Sequence, residues 1–203
     1  MSSRLKILIA AFAFAALVPT IAPRAATEAP KQVVEQFYAT LLEAMHGGAK
    51  LGYDGRYKLL APSIEKTFDI PFMARSSVGG YWDSMTPAQR QGLTEAFRSF
   101  TVANYAHAFD DFGGEKFVTG DEKQTPRKDT IVYTTLVKSD GGKVALNYLL
   151  RSDAGQAKVI DVYLDGAISQ LAVRRSEYTS IIREKGVDAL IDAIKKKAKD
   201  LAG

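Results

Sequence analysis

The sequence predicts an α+β fold with an antiparallel sheet of about four strands. Three observations predict it. Apolar residues recur at helical spacing in the first half of the chain, the spacing changes to two from Lys116 onwards, and helical spacing returns in the C-terminal tail. The order of helices, then strands, then helices is typical of an α+β fold rather than of alternating β-α-β units.

The first helix is predicted to begin after residues 27–30 and to end at Gly47-Gly48. Apolar residues recur in it every four positions and form one core-facing stripe: Val33, Phe37, Leu41 and Met45. Shorter helical pieces are predicted over residues 54–80, because Pro62 and Pro71 interrupt the pattern. Gly79-Gly80 then turns the chain towards Trp82.

A long helix is predicted from Thr86 to about Phe109. Thr86 suits the N-cap, Pro87 suits the first helical position, and Gln89 can complete a capping box. Gly113-Gly114 ends the pattern. The helix carries a broad apolar face of large and small residues: Leu93, Ala96, Phe97, Phe100, Ala103 and Ala106.

The sheet is predicted from four short runs rich in β-branched and aromatic residues, namely 117–119, 130–137, 144–150 and 158–164. Residues 140–142 and 153–155 suit hairpin loops, so the strands should form an antiparallel meander. The tail is predicted to be helical again, with Gly186 as a C-cap and an apolar stripe after it.

Composition and charge point to an exported single-domain protein. Arg4 and Lys6 precede an uncharged apolar run over residues 7–18, which is too short to span a bilayer, so residues 1–26 are predicted to be a signal peptide cleaved between about 22 and 26. Residues 27–203 are the predicted domain.

Loss of Arg4 and Lys6 lowers the formal net charge from +4 to +2, which disfavours nucleic acid as a partner. Cysteine is absent, so the fold depends on core burial alone.

No motif predicts catalysis, a metal site or a cofactor. The two histidines, His46 and His107, lack metal-ligand spacing, and Asp110-Asp111 at a helix end are typical of solvated acids. Nucleophile-elbow, phosphate-loop and dinucleotide patterns are absent.

Both faces of the predicted sheet carry large apolar side chains. On residues 130–137, Tyr133 lies on one face and Leu136 on the other; Tyr148 and Val162 lie on the two following strands. Helices covering both faces would account for this pattern, and so would a ligand cavity on one face.

Two blocks, residues 52–112 and 160–190, resemble the periplasmic lipid-carrier family that includes MlaC and HpnM, also called the toluene-tolerance family. The matching positions are Phe68-Asp69, Trp82, Thr86–Gln89, Phe97, Phe100, Tyr105, Asp161, Asp165-Gly166, Tyr178 and Lys185–Val187. Residues 51–57 and 68–71 look closer to HpnM, the hopanoid-associated member.

The resemblance implies a curved antiparallel sheet wrapped by helices, NTF2-like in outline, with an apolar cavity for lipid tails. It also implies a non-catalytic periplasmic carrier of a hopanoid or a phospholipid, with an inner-membrane transporter of the RND or ABC type and an outer-membrane complex as partners. The residues predicted to line or gate the cavity are Phe72, Met73, Val78, Trp82, Phe97, Phe100, Tyr133, Leu136, Tyr148 and Val162.

Two alternatives stay open from the sequence. NTF2-like cavities can house acid–base chemistry, which here would need a cavity carboxylate, and Asp161 is the nearest candidate because it is predicted to share a strand face with Val159 and Tyr163. The second alternative is an interaction module that binds protein segments in an apolar groove. The three classes differ in what occupies the cavity.

Overall fold

The computed structural model of the chain describes residues 28–153 and 155–202. The predicted signal peptide lies outside these ranges and stays a prediction. Within them, no helix is both long enough and apolar enough to cross a membrane. The elements, in chain order, are α1 (Pro30–Thr67), α2 (Ile70–Val78), α3 (Tyr81–Ser84), α4 (Pro87–Ala108), β1 (Lys116–Gln124), β2 (Thr130–Val137), β3 (Lys143–Asp153), β4 (Gln156–Leu164), β5 (Ile168–Ser169), α5 (Gln170–Lys185) and α6 (Val187–Asp200).

The helix α1 has two segments separated by a kink at its glycines. Gly48 (φ 36°, ψ −126°) and Gly52 (φ 61°, ψ −178°) both leave the helical conformation, so the predicted end at Gly47-Gly48 marks a real interruption. The buried Arg56 holds the kink, because its guanidinium donates to the carbonyls of Gly48 (3.1 Å) and Ala106 (2.9 Å). One side chain therefore ties the kink in α1 to the end of α4.

The prediction that Pro62 breaks the chain into shorter pieces is wrong, since Pro62 lies inside α1. Pro62 is exposed and so is Lys58, whose carbonyl loses its helical partner, so water can satisfy that carbonyl and the helix continues. The second predicted break is confirmed. Pro71 lies in the first turn of α2, where the Asp69 carboxylate caps the helix by accepting from the Phe72 amide at 3.1 Å.

The long helix α4 has the predicted capping box at Thr86 and Gln89, and every residue of its predicted apolar face is buried. It packs against α1, α2 and α6. The predicted apolar stripe of α1 is buried as well. These helices therefore supply much of the core that covers one face of the sheet.

The sheet is an open antiparallel meander in the order β1-β2-β3-β4-β5, which confirms the α+β prediction and adds a short fifth strand. The edge strand β1 extends to Gln124, beyond the predicted 117–119, because its second half is exposed and polar and so lacks an apolar alternation. The inner face of the sheet packs against α1; on it, Tyr38 of α1 stacks on Phe117 at a ring-centroid distance of 4.3 Å.

A β-bulge in β4 changes which side chains share a face. Tyr148 lies opposite Val162, and Leu149 opposite Asp161, but Leu150 lies opposite Val159, which leaves Ile160 as the extra residue. Val159 therefore faces the helices together with Val162, although strict alternation predicts opposite faces.

Candidate functional site

An apolar cavity of about 320 Å³ lies between the inner face of the sheet and the helices. This volume is at the lower end of the range of about 300–1,000 Å³ that is usual for small-ligand sites. The cavity is lined by Phe68, Met73, Thr101, Asn104, Tyr105, Ala108, Phe109, Leu146, Tyr148, Val162, Leu164, Gln170 and Arg174.

Two cross-strand pairs form the sheet side of the cavity. Leu146 lies opposite Leu164, and Tyr148 lies opposite Val162, so the four side chains project from the same face of β3 and β4. Leu146, Val162 and Leu164 are half-buried, whereas Tyr148 is almost completely buried. The floor of the cavity therefore lies at Tyr148.

The helix side of the cavity comes from α4. Thr101, Asn104, Tyr105 and Ala108 follow the spacing i, i+3, i+4 and i+7, so they form one stripe along the helix. The sequence analysis did not assign this stripe to the cavity, because it is less apolar than the neighbouring core stripe. The helical spacing itself was a signal that could have found it.

Tyr105 and Tyr148 bring hydroxyl groups to the lining of the cavity, and Tyr38 lies behind them with its ring centroid 5.7 Å from that of Tyr148. The Thr134 hydroxyl donates to the Leu146 carbonyl, so the Tyr38 hydroxyl, 2.5 Å from the Thr134 oxygen, is the donor in that second bond. Burial raises the pKa of Tyr38 to about 12 and also raises the pKa of Tyr105 and of Tyr148, with the neighbouring tyrosines adding to the rise at Tyr148. These phenols are therefore neutral hydrogen-bonding groups at physiological pH.

The polar rim of the cavity contains Asn104, Gln170 and Arg174, all of them partly exposed, next to the exposed Ala108. Among the described residues of the lining, Arg174 alone is charged. Its guanidinium carbon lies 4.6 Å from the ring centroid of Phe100 and 6.0 Å from that of Phe97. The cavity thus has an apolar interior, a neutral hydroxyl end and a cationic rim.

Three larger depressions are less suited to an apolar ligand. One of about 740 Å³ includes Glu28, Lys66 and Lys158, and one of about 500 Å³ includes Arg175 beside Gly79. The third, of about 410 Å³ on the outer face of the sheet, includes the ion pair between Asp129 and Arg151. An acyl chain in any of them would displace water from charged groups, which is unfavourable. The smaller cavity is therefore the candidate site.

Three of the ten residues predicted to bind lipid line this cavity, namely Met73, Tyr148 and Val162. Phe97 and Phe100 lie behind it, where they are buried under the Arg174 guanidinium. The lipid-binding role itself stays a prediction for all ten residues.

The other five predicted residues lie elsewhere. Val78 is completely buried in the core, Trp82 lies under the Arg90 guanidinium, and Phe72 lies under that of Arg151. Tyr133 is 40% exposed on the outer face of the sheet, and Leu136 lies on the inner face of β2, opposite Phe117. These residues belong to neighbouring helices and strands, so the structure does not bring all ten together.

The structure places Asp161 outside the cavity, contrary to what the enzyme alternative requires. Because of the bulge, Asp161 lines the outer depression together with Ile160 and Tyr163. Its carboxylate accepts from the amides of Val162 (2.8 Å) and Leu171 (3.0 Å) and from the Ser169 hydroxyl (2.5 Å). Asp161 therefore fixes the start of α5, where it accepts hydrogen bonds from main-chain amides and a hydroxyl group.

Histidines and acids do not assemble into a metal site within the ranges that the structure covers, where no group of three or more potential ligands occurs. His107 is exposed at the end of α4. The spacing of His107, seven residues after Phe100, predicts a buried imidazole near the apolar face of α4. That prediction is wrong, because the side chain is exposed.

The fold and the cavity define a class of α+β proteins that hold an apolar space beside an open antiparallel sheet. The family model described as MlaC protein matches residues 30–196. The chain belongs to the MlaC family, which confirms the family resemblance read from the sequence, while the closer likeness to HpnM stays a prediction.

A solved structure supports the fold assignment. The phospholipid-binding protein from Ralstonia solanacearum, determined in complex with a phospholipid, superposes with a TM-score of 0.75 at 20% sequence identity. The match covers 86% of this chain and 99% of that chain. At this identity the likeness shows a shared fold.

Proposed function

We propose that this protein is a periplasmic phospholipid carrier that holds lipid tails in the cavity between β3, β4 and α4. The observation that carries the proposal is the largely apolar cavity with Arg174 at its rim. An acyl chain gains about 0.8 kcal/mol for each methylene removed from water, so an apolar enclosure is what a lipid needs to cross an aqueous compartment. Membership of the MlaC family and the phospholipid bound by the Ralstonia protein support the same cargo class.

The proposed carrier works by binding and release rather than by bond making. It takes a lipid from an inner-membrane transporter or an outer-membrane complex and yields it to the other. Each transfer requires the tails to move between two apolar environments without exposure to water, and a partly open cavity rim offers the route.

Native mass spectrometry with lipid extraction tests this function on protein purified from its own periplasm. A stoichiometric phospholipid is the expected result. A stoichiometric hopanoid would keep the carrier function and assign the cargo predicted from the HpnM-like segments. A protein that leaves its host without any lipid would contradict the carrier function.

A cavity-filling substitution tests the site. Val162→Trp puts an indole into the cavity, because Val162 is half-buried in its lining. We expect the amount of co-purified lipid to fall several-fold, while overpacking lowers the free energy of unfolding by about 1–3 kcal/mol.

The matched control for this substitution is Val118→Trp, the same exchange at a position that is 50% exposed on the outer side of β1. It should retain the wild-type lipid content. If the folded Val162→Trp protein carried as much lipid as the control, the tails would lie somewhere else.

A further inference from the structure

Arg174 is a cation at the cavity rim that forms no ion pair with a carboxylate of the described residues. Among the residues that the structure describes, no Asp or Glu oxygen lies within 4.0 Å of it, and residues 1–27 contain no acidic residue. Lys197 provides a contrast. It also lies over the Phe100 ring, at 5.5 Å, but it forms an ion pair with Glu177 at 3.4 Å.

The surroundings of Arg174 fix its position without using up its hydrogen-bonding capacity. The guanidinium stacks over Phe100 and near Phe97, and an aromatic face attracts the charge without accepting a conventional hydrogen bond. Gln170, one helical turn earlier, lines the same rim because residues four apart share a helix face. The Tyr178 hydroxyl also hydrogen-bonds with Arg174. Because a guanidinium has five N–H donors, this bond leaves donors available for a ligand.

A guanidinium held in this way suits a phosphate group. Its planar fork donates two parallel hydrogen bonds to phosphate oxygens, and such charge-assisted bonds are roughly twice as strong as neutral ones. The apolar interior lies directly behind the rim, so a ligand with its tail inside would place its polar end beside Arg174. Neutral polycyclic or diacyl lipids would leave the guanidinium without an anionic partner.

We infer that Arg174, with Gln170 and Asn104 beside it, binds the phosphate of a glycerophospholipid head group and selects phosphate-bearing lipids over neutral lipids. This inference rests on the proposed function. It assigns the head-group site and the cargo class to residues of this chain.

The test compares phosphatidylglycerol with diacylglycerol bearing the same acyl chains, in wild-type protein and in Arg174→Gln. Displacement of a fluorescent fatty acid from the full mature protein measures both affinities. We expect Arg174→Gln to weaken phosphatidylglycerol binding by about ten-fold or more, as for a lost hydrogen bond to a charged group, and to leave diacylglycerol binding within about two-fold. Arg174→Lys should recover part of the loss, because it restores the charge without the fork.

Arg175→Gln is the matched control, since Arg175 is exposed on the same helix and packs against Gly79, away from the cavity. It should bind both lipids as wild type does. Should Arg174→Gln fail to fold, the wild-type protein still gives an answer, because added salt should weaken phosphatidylglycerol binding and spare diacylglycerol.

Other outcomes would overturn the inference. Equal weakening of both lipids would make Arg174 a structural residue of the cavity wall, and unchanged phosphatidylglycerol affinity would remove it from recognition. Inorganic phosphate that binds wild-type protein as tightly as phosphatidylglycerol would define a site for the free anion. Wild-type protein that binds both lipids equally would end the inference but keep the carrier function, whereas protein that binds neither would end both.

Discussion

Tyr38 and Thr134 bring hydroxyl groups into the largely apolar core. A buried hydroxyl without a partner is costly, and the two side chains avoid this cost by bonding each other and the Leu146 carbonyl. The arrangement joins α1 to β2 and β3 through directional contacts. A hydrophobic residue in place of Tyr38 would fill the space without fixing that geometry.

Burial of Tyr38 predicts a loss of stability at alkaline pH. In the unfolded chain the tyrosine ionises near pH 10, whereas the folded protein keeps its proton up to a pKa of about 12. Between these values the unfolded state binds fewer protons, so the free energy of unfolding falls as pH rises, by up to about 1.4 kcal/mol per pH unit for this residue. In urea unfolding followed from about pH 9 to pH 11, Tyr38→Phe should remove about 1.4 kcal/mol of the total loss of stability over that range.

The control for the alkaline experiment is Tyr133→Phe, which removes a hydroxyl from a residue that is 40% exposed. Its unfolding should keep the wild-type dependence on pH. If Tyr38→Phe and wild type lost stability in parallel, proton release at Tyr38 would not be coupled to unfolding.

The role of Phe97 depends on how deeply its side chain is buried in the core. The sequence predicts Phe97 as a residue that lines or gates the cavity, and an aspartate at such a position should reduce lipid binding in a folded protein. Phe97 is fully buried in the structure, so an aspartate there would place a charge in the core and destabilise the whole fold. Residues with partial exposure, such as Val162, are better probes of the cavity.

At the scale of elements, the junction between α5 and α6 depends on one backbone conformation. Gly186 ends α5 and precedes α6 with φ 86° and ψ 173°, a region that is essentially restricted to glycine. The Gly186 amide donates to the Ile182 carbonyl at 2.9 Å. The sharp turn lets α6 fold back onto α4 and α5.

Gly186→Ala should lower the free energy of unfolding by about 1–3 kcal/mol in chemical denaturation. A Cβ at this position would meet no atom within 4 Å, so the whole cost comes from the backbone conformation. Gly92→Ala on α4 is the matched control, because its Cβ would make an ordinary contact with Ile191 at 3.6 Å and alanine is the better helix former by about 0.5–1 kcal/mol. Equal effects of the two substitutions would contradict the assignment to backbone strain.

The bulge in β4 shows how one inserted residue redirects a strand. Before Ile160 the odd-numbered Val159 faces the helices, and after it the even-numbered Val162 does. The same shift turns Asp161 to the outer face, where it bonds the start of α5. The bulge therefore sets both the cavity floor and the position of the helix that carries Arg174.

At the scale of the whole molecule, the cavity is the gap that the helices leave over one end of the sheet. Its depth limits how much of an acyl chain leaves water. We expect the affinity for lysophosphatidylglycerols to rise by about 0.8 kcal/mol per added methylene, roughly four-fold in Kd, until the chain fills the space. Longer chains should then bind with constant affinity.

Titration below the critical micelle concentration, with a series of chain lengths, measures this dependence. Val162→Trp shortens the available space, so its plateau should begin at a shorter chain than in wild type. A chain-length series without any slope would mean that the tails stay outside the cavity.

The sequence by itself determined the α+β order, the capping box at Thr86 and the core faces of α1 and α4, because these depend on residues close together in the chain. It also carried the family resemblance. The same local rules missed the helix through Pro62, where solvent satisfies the carbonyl of Lys58.

Only the tertiary structure decided which side chains form the cavity. The bulge at Ile160 breaks the two-residue period, so no local pattern could assign Asp161 to the outer face or Val159 to the inner one. From the sequence, Arg174 is only one of several basic residues in a helix with many polar positions. Its place over Phe100, without a carboxylate partner among the described residues, arises because α5 packs against α2 and α6 and brings Arg174 to a ring of α4 that is distant in the chain.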